Sequence, residues 1–217
     1  MREFKYENKD YNFKNLDKDS IDRHTLGFIE KNKKVLELGC ATGFHSKILK
    51  EEKNCQVFGV EIDQRAAKKS EDFTAKTITG NLEDKKTWEK IKENAPFDVV
   101  LASNILEHLS DTEKMLSLIK EVLKKDGYLV VAVPNIAFWR SRLRLLSGIW
   151  RYEDYGIFDR THLRFFSLFS FRETLNRSGF SIIEEKYDPA GGAKFFTRIL
   201  KKFPNAYAHQ IAFKAKA

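Results

Sequence analysis

Short apolar segments recur along the chain, at 34–38 (KVLEL), 56–61 (QVFGVE), 75–80 (AKTITG), 97–103 (FDVVLAS) and 128–133 (YLVVAV). Three of the five are apolar almost throughout. A strand with one wet face alternates apolar and polar residues, whereas a strand covered by helices on both faces reads as a continuous run. Between these segments lie helix-like stretches at 46–52, 64–70, 84–94 and 111–124. In the last of them Met115, Leu116, Leu118, Ile119, Val122 and Leu123 fall at helical spacing, Asp111 and Glu113 occupy the first turn, and lysines precede Gly127. This alternation predicts an α/β fold, a mostly parallel doubly wound sheet with helices on both faces.

After Val133 the rhythm breaks. Residues 134–166 are rich in aromatic residues and arginines without a clean period, and read as an insertion or lid. A helix is expected at 167–178 with Gly179 as its stop, then strands at 180–188 and 208–217, joined through GGAKFFTRILKKFPN. An antiparallel hairpin-like pair at one sheet edge is the simplest arrangement for them. No Pro/Gly/Ser-rich linker divides the 217 residues. One domain over 1–217 is expected, with a ligand-binding core at 33–135, the lid at 136–166 and a C-terminal helix and strands at 167–217.

Composition refines this picture at three points. No apolar run approaches the roughly 20 residues a bilayer span needs, and MREFKYENKDYNFKN offers no apolar stretch for a signal peptide. Cys40 and Cys55, the only cysteines, form neither a CxxC pair nor a metal-ligand cluster, so free thiols in a reducing cytoplasm are expected. The net charge of +8 comes from 39 Lys+Arg against 31 Asp+Glu, which favours anionic partners. The excess concentrates in WRSRLRLLSGIWR (139–151), with Arg140, Arg142, Arg144 and Arg151 and no acid, and in an acid-free stretch at 194–216.

The densest chemical signal is VLELGCATG at 35–43. A glycine-bearing turn that leaves a buried strand and enters a helix lets backbone N–H groups approach a ligand at the sheet edge. Its spacing is Gly39-x-x-x-Gly43 rather than the GxGxxG of a pyrophosphate site, and Glu37 precedes it. A carboxylate there favours a cationic ligand, such as an amino-acid ammonium group. About 20 residues after the turn, GVEID puts Glu61 at the end of the next strand, where a carboxylate accepts hydrogen bonds from both hydroxyls of a ribose. Asp63 reads as an N-cap for the helix that follows.

With TGNLED at 79–84 and SNILEHLSD at 103–111 ending the third and fourth strands, residues 33–135 resemble the class I S-adenosylmethionine-dependent methyltransferases. The resemblance implies a Rossmann-like sheet of seven strands with one antiparallel edge strand, and S-adenosylmethionine as cofactor with S-adenosylhomocysteine as product. It implies cofactor contacts from Glu37, Gly39, Cys40, Ala41 and Gly43, with Glu61 and Ile62 at the ribose and Asn81 and Leu82 at the adenine. Ser103, Asn104, Ile105 and His108 would border the methionine moiety. Two positions depart from the usual pattern: Asn81 replaces an aspartate, and Ala41 replaces a middle glycine. Some relatives hold a divalent metal with Glu-x-x-Glu-His; here Asn104 stands at the first glutamate and only Glu107 and His108 remain, so no metal is expected. The segment after Pro134 is more loosely similar to methyltransferases associated with cell-surface polysaccharides.

Methyl transfer to a hydroxyl needs in-line placement and removal of a proton. His162 and His108 are the candidate bases, with Asp159 placed to orient His162. Asn135, Trp139, Arg140, Arg144, Tyr152 and Arg164 are candidate acceptor-binding residues, since guanidinium groups match oxyanions in two-point contacts. A hydroxyl of a small molecule or glycan, anionic in character, is the expected acceptor; a phenol or quinone-type metabolite is the alternative. The Asn/Asp-Pro-Pro-aromatic signature of many nucleic-acid methyltransferases is replaced by SNILEH, which argues against a nucleic-acid substrate. A non-catalytic binding module remains the competing reading, using 139–151 for peripheral membrane or partner contact.

Overall fold

The computed structural model describes residues 12–189 and 202–217. Seven strands form one sheet: β1 Lys34–Leu38, β2 Gln56–Glu61, β3 Lys76–Thr79, β4 Phe97–Ser103, β5 Leu123–Pro134, β6 Ser181–Asp188 and β7 Gln210–Lys216, in the order β3-β2-β1-β4-β5-β7-β6. The contacts β1–β2, β1–β4, β2–β3 and β4–β5 are parallel, and β7 runs antiparallel to both β5 and β6. The expected antiparallel pair is present, but β7 sits between its neighbours and β6 forms the edge. Residues 190–201, which include most of the predicted connection, lie outside the described residues.

Successive residues of the central strands enter opposite layers. Leu36, Leu38, Val60, Val100 and Val131 join one apolar cluster with Met115, Leu116, Ile119 and Phe171. Val35, Val57, Val99, Leu101 and Val130 join the other with Leu26, Ile29, Ile48 and Leu49. Burial on both faces is why these strands lack alternation, and truncating such a side chain to alanine costs about 2–5 kcal/mol.

Among the described residues the α-helices are α1 Ile21–Phe28, α2 Phe44–Glu51, α3 Gln64–Ser70, α4 Lys85–Lys92, α5 Thr112–Val122, α6 Trp139–Leu146 and α7 Leu168–Arg177, followed by a short helix Pro204–Tyr207. Caps set several boundaries. Asp63 accepts from Arg65 N and Ala66 N, Asp111 from Lys114 N, and Ser167 from Ser170 N in a capping box. Two expectations need correction. Helix α1 was not anticipated, because only Ile21, Thr25, Leu26 and Phe28 are buried in its eight residues. The insertion is not irregular throughout, since α6 forms within it; the remainder is organised by turns around Phe138, Ile157 and Phe158. No helix among the described residues is long and apolar enough to cross a membrane.

The strand order reverses between β1 and β4. In an open parallel sheet the crevice beyond the carboxyl ends of two such strands is where ligands bind.

Candidate functional site

The turn after β1 opens into that crevice. Gly39 has φ 71° and Gly43 has φ 88°, the left-handed region that a side chain strains. A Cβ on Gly39 would lie 2.9 Å from Ile105 Cδ1; one on Gly43 would lie 3.0 Å from Ser70 Cα and from Phe73. Gly39 thus keeps the crevice open, while Gly43 packs the start of α2 against α3. Gly43 is the one member of the expected cofactor set in the turn that lines neither lobe described below.

Gly39 divides the crevice into two lobes. The first, about 510 Å³, is lined by Asp22, Glu37, Gly39, Cys40, Ala41, Phe44, His45, Ser103 and Asn104. The second, about 600 Å³, is lined on its walls by Glu61, Ile62, Asn81, Leu82, Ile105 and His108.

In the first lobe the buried Glu37 accepts from Ser46 Oγ at 2.5 Å and faces His45 Nδ1 at 3.2 Å, while His45 Nε2 lies 2.8 Å from Asp22 Oδ1. Burial works against the imidazolium, but the hydrogen bonds to Asp22 and Glu37 outweigh it and raise His45 to about 10. His45 is the cation between two carboxylates, and the lobe keeps a net negative charge. Ser103 Oγ is buried without a hydrogen-bond partner, a polar atom that a ligand in this lobe would satisfy.

The His45 arrangement has a measurable pH signature. A histidine whose folded pKa is raised stabilises the fold fully below its unfolded value near 6.5 and loses that contribution as pH rises toward 10. Wild-type Tm is expected to fall between pH 7 and 10, and His45→Gln to flatten that fall while costing about 3–5 kcal/mol at pH 7. Identical pH profiles for the two proteins would exclude a charged His45.

In the second lobe Glu61 Oε2 accepts from Ala41 N and its Oε1 from Asp63 N, both at 2.9 Å. The carboxylate therefore ties the glycine turn to the end of β2. Asn81 Oδ1 accepts from Glu83 N at 2.9 Å, forming a tight turn at the mouth of the lobe. Ile62, two-thirds exposed, offers an apolar face over the lobe.

Beside His108 lies Glu107, which the sequence marks only as a remnant of a metal-binding motif. Glu107 is 1% exposed, its two carboxylate oxygens have no hydrogen-bond partner, and burial pushes its carboxyl up to about 8. His162 Nε2 lies 4.0 Å from Glu107 Oε1, and the His108 and His162 rings meet edge to face at 4.8 Å. The insertion is fastened here, because Leu163 N and Arg164 N both donate to Glu107 O. The Asp159 carboxylate accepts no hydrogen bond from the His162 ring, although His162 N donates to Asp159 O and the carboxylate charge acts on that histidine. It accepts from Thr161 N and Thr161 Oγ1, and Thr161 in turn accepts from His108 Nδ1.

A family model described as a methyltransferase domain matches residues 10–185. The chain belongs to this methyltransferase-domain family. The chain is 29% identical over 109 residues to the ubiquinone biosynthesis O-methyltransferase of Pelagibacter ubique, covering 48% of the chain and 43% of that protein. It is 26% identical over 154 residues to the 2-methyl-6-phytyl-1,4-hydroquinone methyltransferase of Synechocystis, covering 67% of the chain and 45% of that protein. The alignments thus span less than half the length of these curated relatives. Among solved structures, an S-adenosylmethionine-dependent methyltransferase from Mesorhizobium loti superposes with a TM-score of 0.63 at 14% identity, covering 91% of this chain and 98% of that one. This likeness establishes the shared Rossmann-like fold.

The residues expected to hold an acceptor do not gather at the methyltransferase domain's crevice. Asn135 is wholly buried, donating to Asn205 O and Ala208 O and accepting from Ala137 N, so it is a joint between the sheet and the loops above it. Arg164 is bound to Ser110 O through Nε at 3.0 Å and through its Nη2, a backbone clamp rather than an oxyanion fork. Arg144 pairs with Glu153 at 2.8 Å and stacks over Phe158. With Arg140, Tyr155 and His209 it lines a separate cleft of about 770 Å³. Trp139 packs partly buried beside Phe138, and Tyr152 is exposed, edge-on to Trp150.

Proposed function

We propose that the chain transfers a methyl group from S-adenosylmethionine to a hydroxyl of a small acceptor. One observation carries the reading: two lobes meet at Gly39, one with a carboxylate–histidine–carboxylate triad, the other with Glu61 at the end of β2. The donor's three parts fit them in order. Its ammonium group takes the net negative first lobe near Glu37 and Asp22, and its carboxylate or a bridging water satisfies Ser103 Oγ. The ribose takes Glu61, and the adenine lies between Ile62, Leu82 and Ile105, with Asn81 at its rim. The bound donor supplies an electrophilic methyl on a sulfonium.

The chain's own contribution is placement and proton removal. The acceptor oxygen must approach on the side of the lobes bordered by Asn104, Ile105 and His108. Proton removal is assigned to the Glu107–His108–His162 cluster, with Asp159 fixing His108 through Thr161. The S–C bond breaks as the O–C bond forms, and the hydroxyl proton passes to this cluster or, through it, to solvent.

The names of the two curated relatives favour a quinol or phenolic acceptor, and the edge-to-face cluster of Trp150, Phe158 and Phe165 supports an aromatic one. A glycan or other anionic acceptor is favoured instead by the cleft that holds Arg140 and Arg144. Exposed Leu143, Leu146, Ile149 and Trp150 beside Arg140, Arg142 and Arg151 suit contact with an anionic membrane surface that carries an apolar acceptor. Calorimetric titration of the purified chain with S-adenosylmethionine and S-adenosylhomocysteine tests the first step. Micromolar dissociation constants are expected, and no heat and no thermal shift at millimolar ligand would exclude the enzyme reading.

A further inference from the structure

We propose that the cleft at the start of α6 binds a phosphoryl group, and that the methyl acceptor carries it. The assignment to the acceptor rests on the methyltransferase reading above; the site itself does not. The cleft, about 770 Å³, is separate from both donor lobes and takes Arg140 and Ser141 from the first turn of α6, with Arg144, Phe158 and His209 among its other residues.

Three observations on different atoms point to an anion there. No side chain caps α6, and the N–H groups of Trp139, Arg140 and Ser141 have no acceptor among the described residues. A first turn of this kind, with aligned N–H groups and the positive end of the helix dipole behind them, receives oxyanions. Ser141 is only 2% exposed and lines the cleft, yet its Oγ makes no hydrogen bond among the described residues. Buried hydroxyls are normally satisfied, and a ligand oxygen in the cleft would accept from this one. The third observation is charge. Glu153, the one acid among the lining residues, is paired with Arg144 at 2.8 Å, which leaves the charge of Arg140 uncompensated.

The donor set suits phosphate better than carboxylate. A row of backbone N–H groups, a hydroxyl and a guanidinium supply more donors than two carboxylate oxygens use, whereas a phosphoryl group presents three oxygens and up to about two charges. Phe138, Ile157 and Phe158 give the cleft an apolar wall for the carbon skeleton attached to it. The cleft also adjoins the crevice. His209 lines the cleft, and its neighbour Gln210 holds Asn104, which lines the first lobe. Ile157 O accepts from His162 Nδ1 at 3.1 Å, and the His162 ring meets that of His108, which lines the second lobe. An acceptor held by its phosphoryl group at α6 can therefore extend a hydroxyl toward the bound donor.

The isotope-labelled full-length chain is titrated with phenyl phosphate at physiological ionic strength and followed through its backbone amide resonances. Saturable shifts at Trp139, Arg140 and Ser141 are expected, with a dissociation constant below about 1 mM, and benzoate should bind at least about 10-fold more weakly. Arg140→Gln should weaken phenyl phosphate by about 10-fold or more and Ser141→Ala by about threefold. Arg142→Gln, which removes an exposed charge of the same helix that bonds Ala137 O, should leave it unchanged. Absence of saturation, equal binding of benzoate, or equal losses in the Arg140 and Arg142 variants overturns the proposal. Sedimentation with phosphatidylglycerol vesicles tests the source of the phosphate. Vesicle retention unaffected by Arg140→Gln is expected; retention that needs Arg140 and is competed by phenyl phosphate gives the site to lipid headgroups and overturns its assignment to the acceptor. Titration of the same protein with S-adenosylmethionine separates the two readings: donor binding without phenyl phosphate binding removes the anion site and leaves the methyltransferase reading standing, and the converse removes that reading and leaves the site.

Discussion

Replacing Glu61 with alanine is expected to weaken S-adenosylmethionine binding by about 10²-fold or more, because hydrogen bonds to a charged group contribute about 1.5–3 kcal/mol each and the variant loses the pair made to the ribose. The effect has a second source. Glu61 also holds Ala41 N and Asp63 N at 2.9 Å, and Ala41 sits at φ 45°, a conformation it does not favour alone. Without the carboxylate the turn loses its anchor, so the donor lobes lose shape along with a ligand group. Glu61→Gln retains an acceptor for one of the two N–H groups and should fall between wild type and alanine. Calorimetry with the donor and its demethylated product reads the affinity, and thermal unfolding reads the loosened turn. A dissociation constant within about threefold of wild type would remove Glu61 from the ribose.

His162→Ala is expected to lower turnover by about 10²–10⁴-fold and leave donor affinity within about threefold. His162 lies on the far side of His108 from the donor lobes, next to Glu107. A purely structural role is a real competitor, since His162 also packs edge-on to Phe165 and anchors Ile157 O. The pH dependence of turnover distinguishes them. Loss of packing lowers activity by the same factor at each pH, whereas loss of a proton-removing group also displaces the acidic limb of the profile. Unchanged turnover would exclude the cluster from the chemistry.

The sheet was legible because helices on both faces leave a simple trace, continuous apolar runs separated by capped helices. The glycine turn, Glu61 and the Asp63 cap were legible for a related reason: each sits at a strand end, where local spacing fixes position. What escaped depends on contacts between distant segments. Asp22 reaches His45, and through it Glu37, only because α1 packs across the sheet, and α1 is too short and too polar to announce itself. Glu107 reads in the sequence only as a remnant of an incomplete motif, and its burial appears once the insertion pairs with its carbonyl. Asn135 and Arg164 misled in the opposite direction. Their polar groups looked available to a substrate, but backbone carbonyls claim them: those of Asn205 and Ala208 for the buried Asn135, as nearly every buried polar group must be claimed, and that of the exposed Ser110 for Arg164.

The position of β7 bears on when the molecule becomes competent. It follows β6 in the chain yet lies between β5 and β6, antiparallel to both. Until it docks, β5 presents an open edge of buried-type residues, Val131 and Val133 among them, to any passing strand. Gln210, the first residue of β7, is also the partner of Asn104 at the crevice. A strand late in the sequence therefore holds Asn104, which lines the first lobe, so a chain in which β7 has not docked carries an open edge and a loosened lobe together. Donor ligand present during refolding should act as a trap for correctly closed molecules, drawing the population past the one stage at which neighbouring chains compete for the same edge.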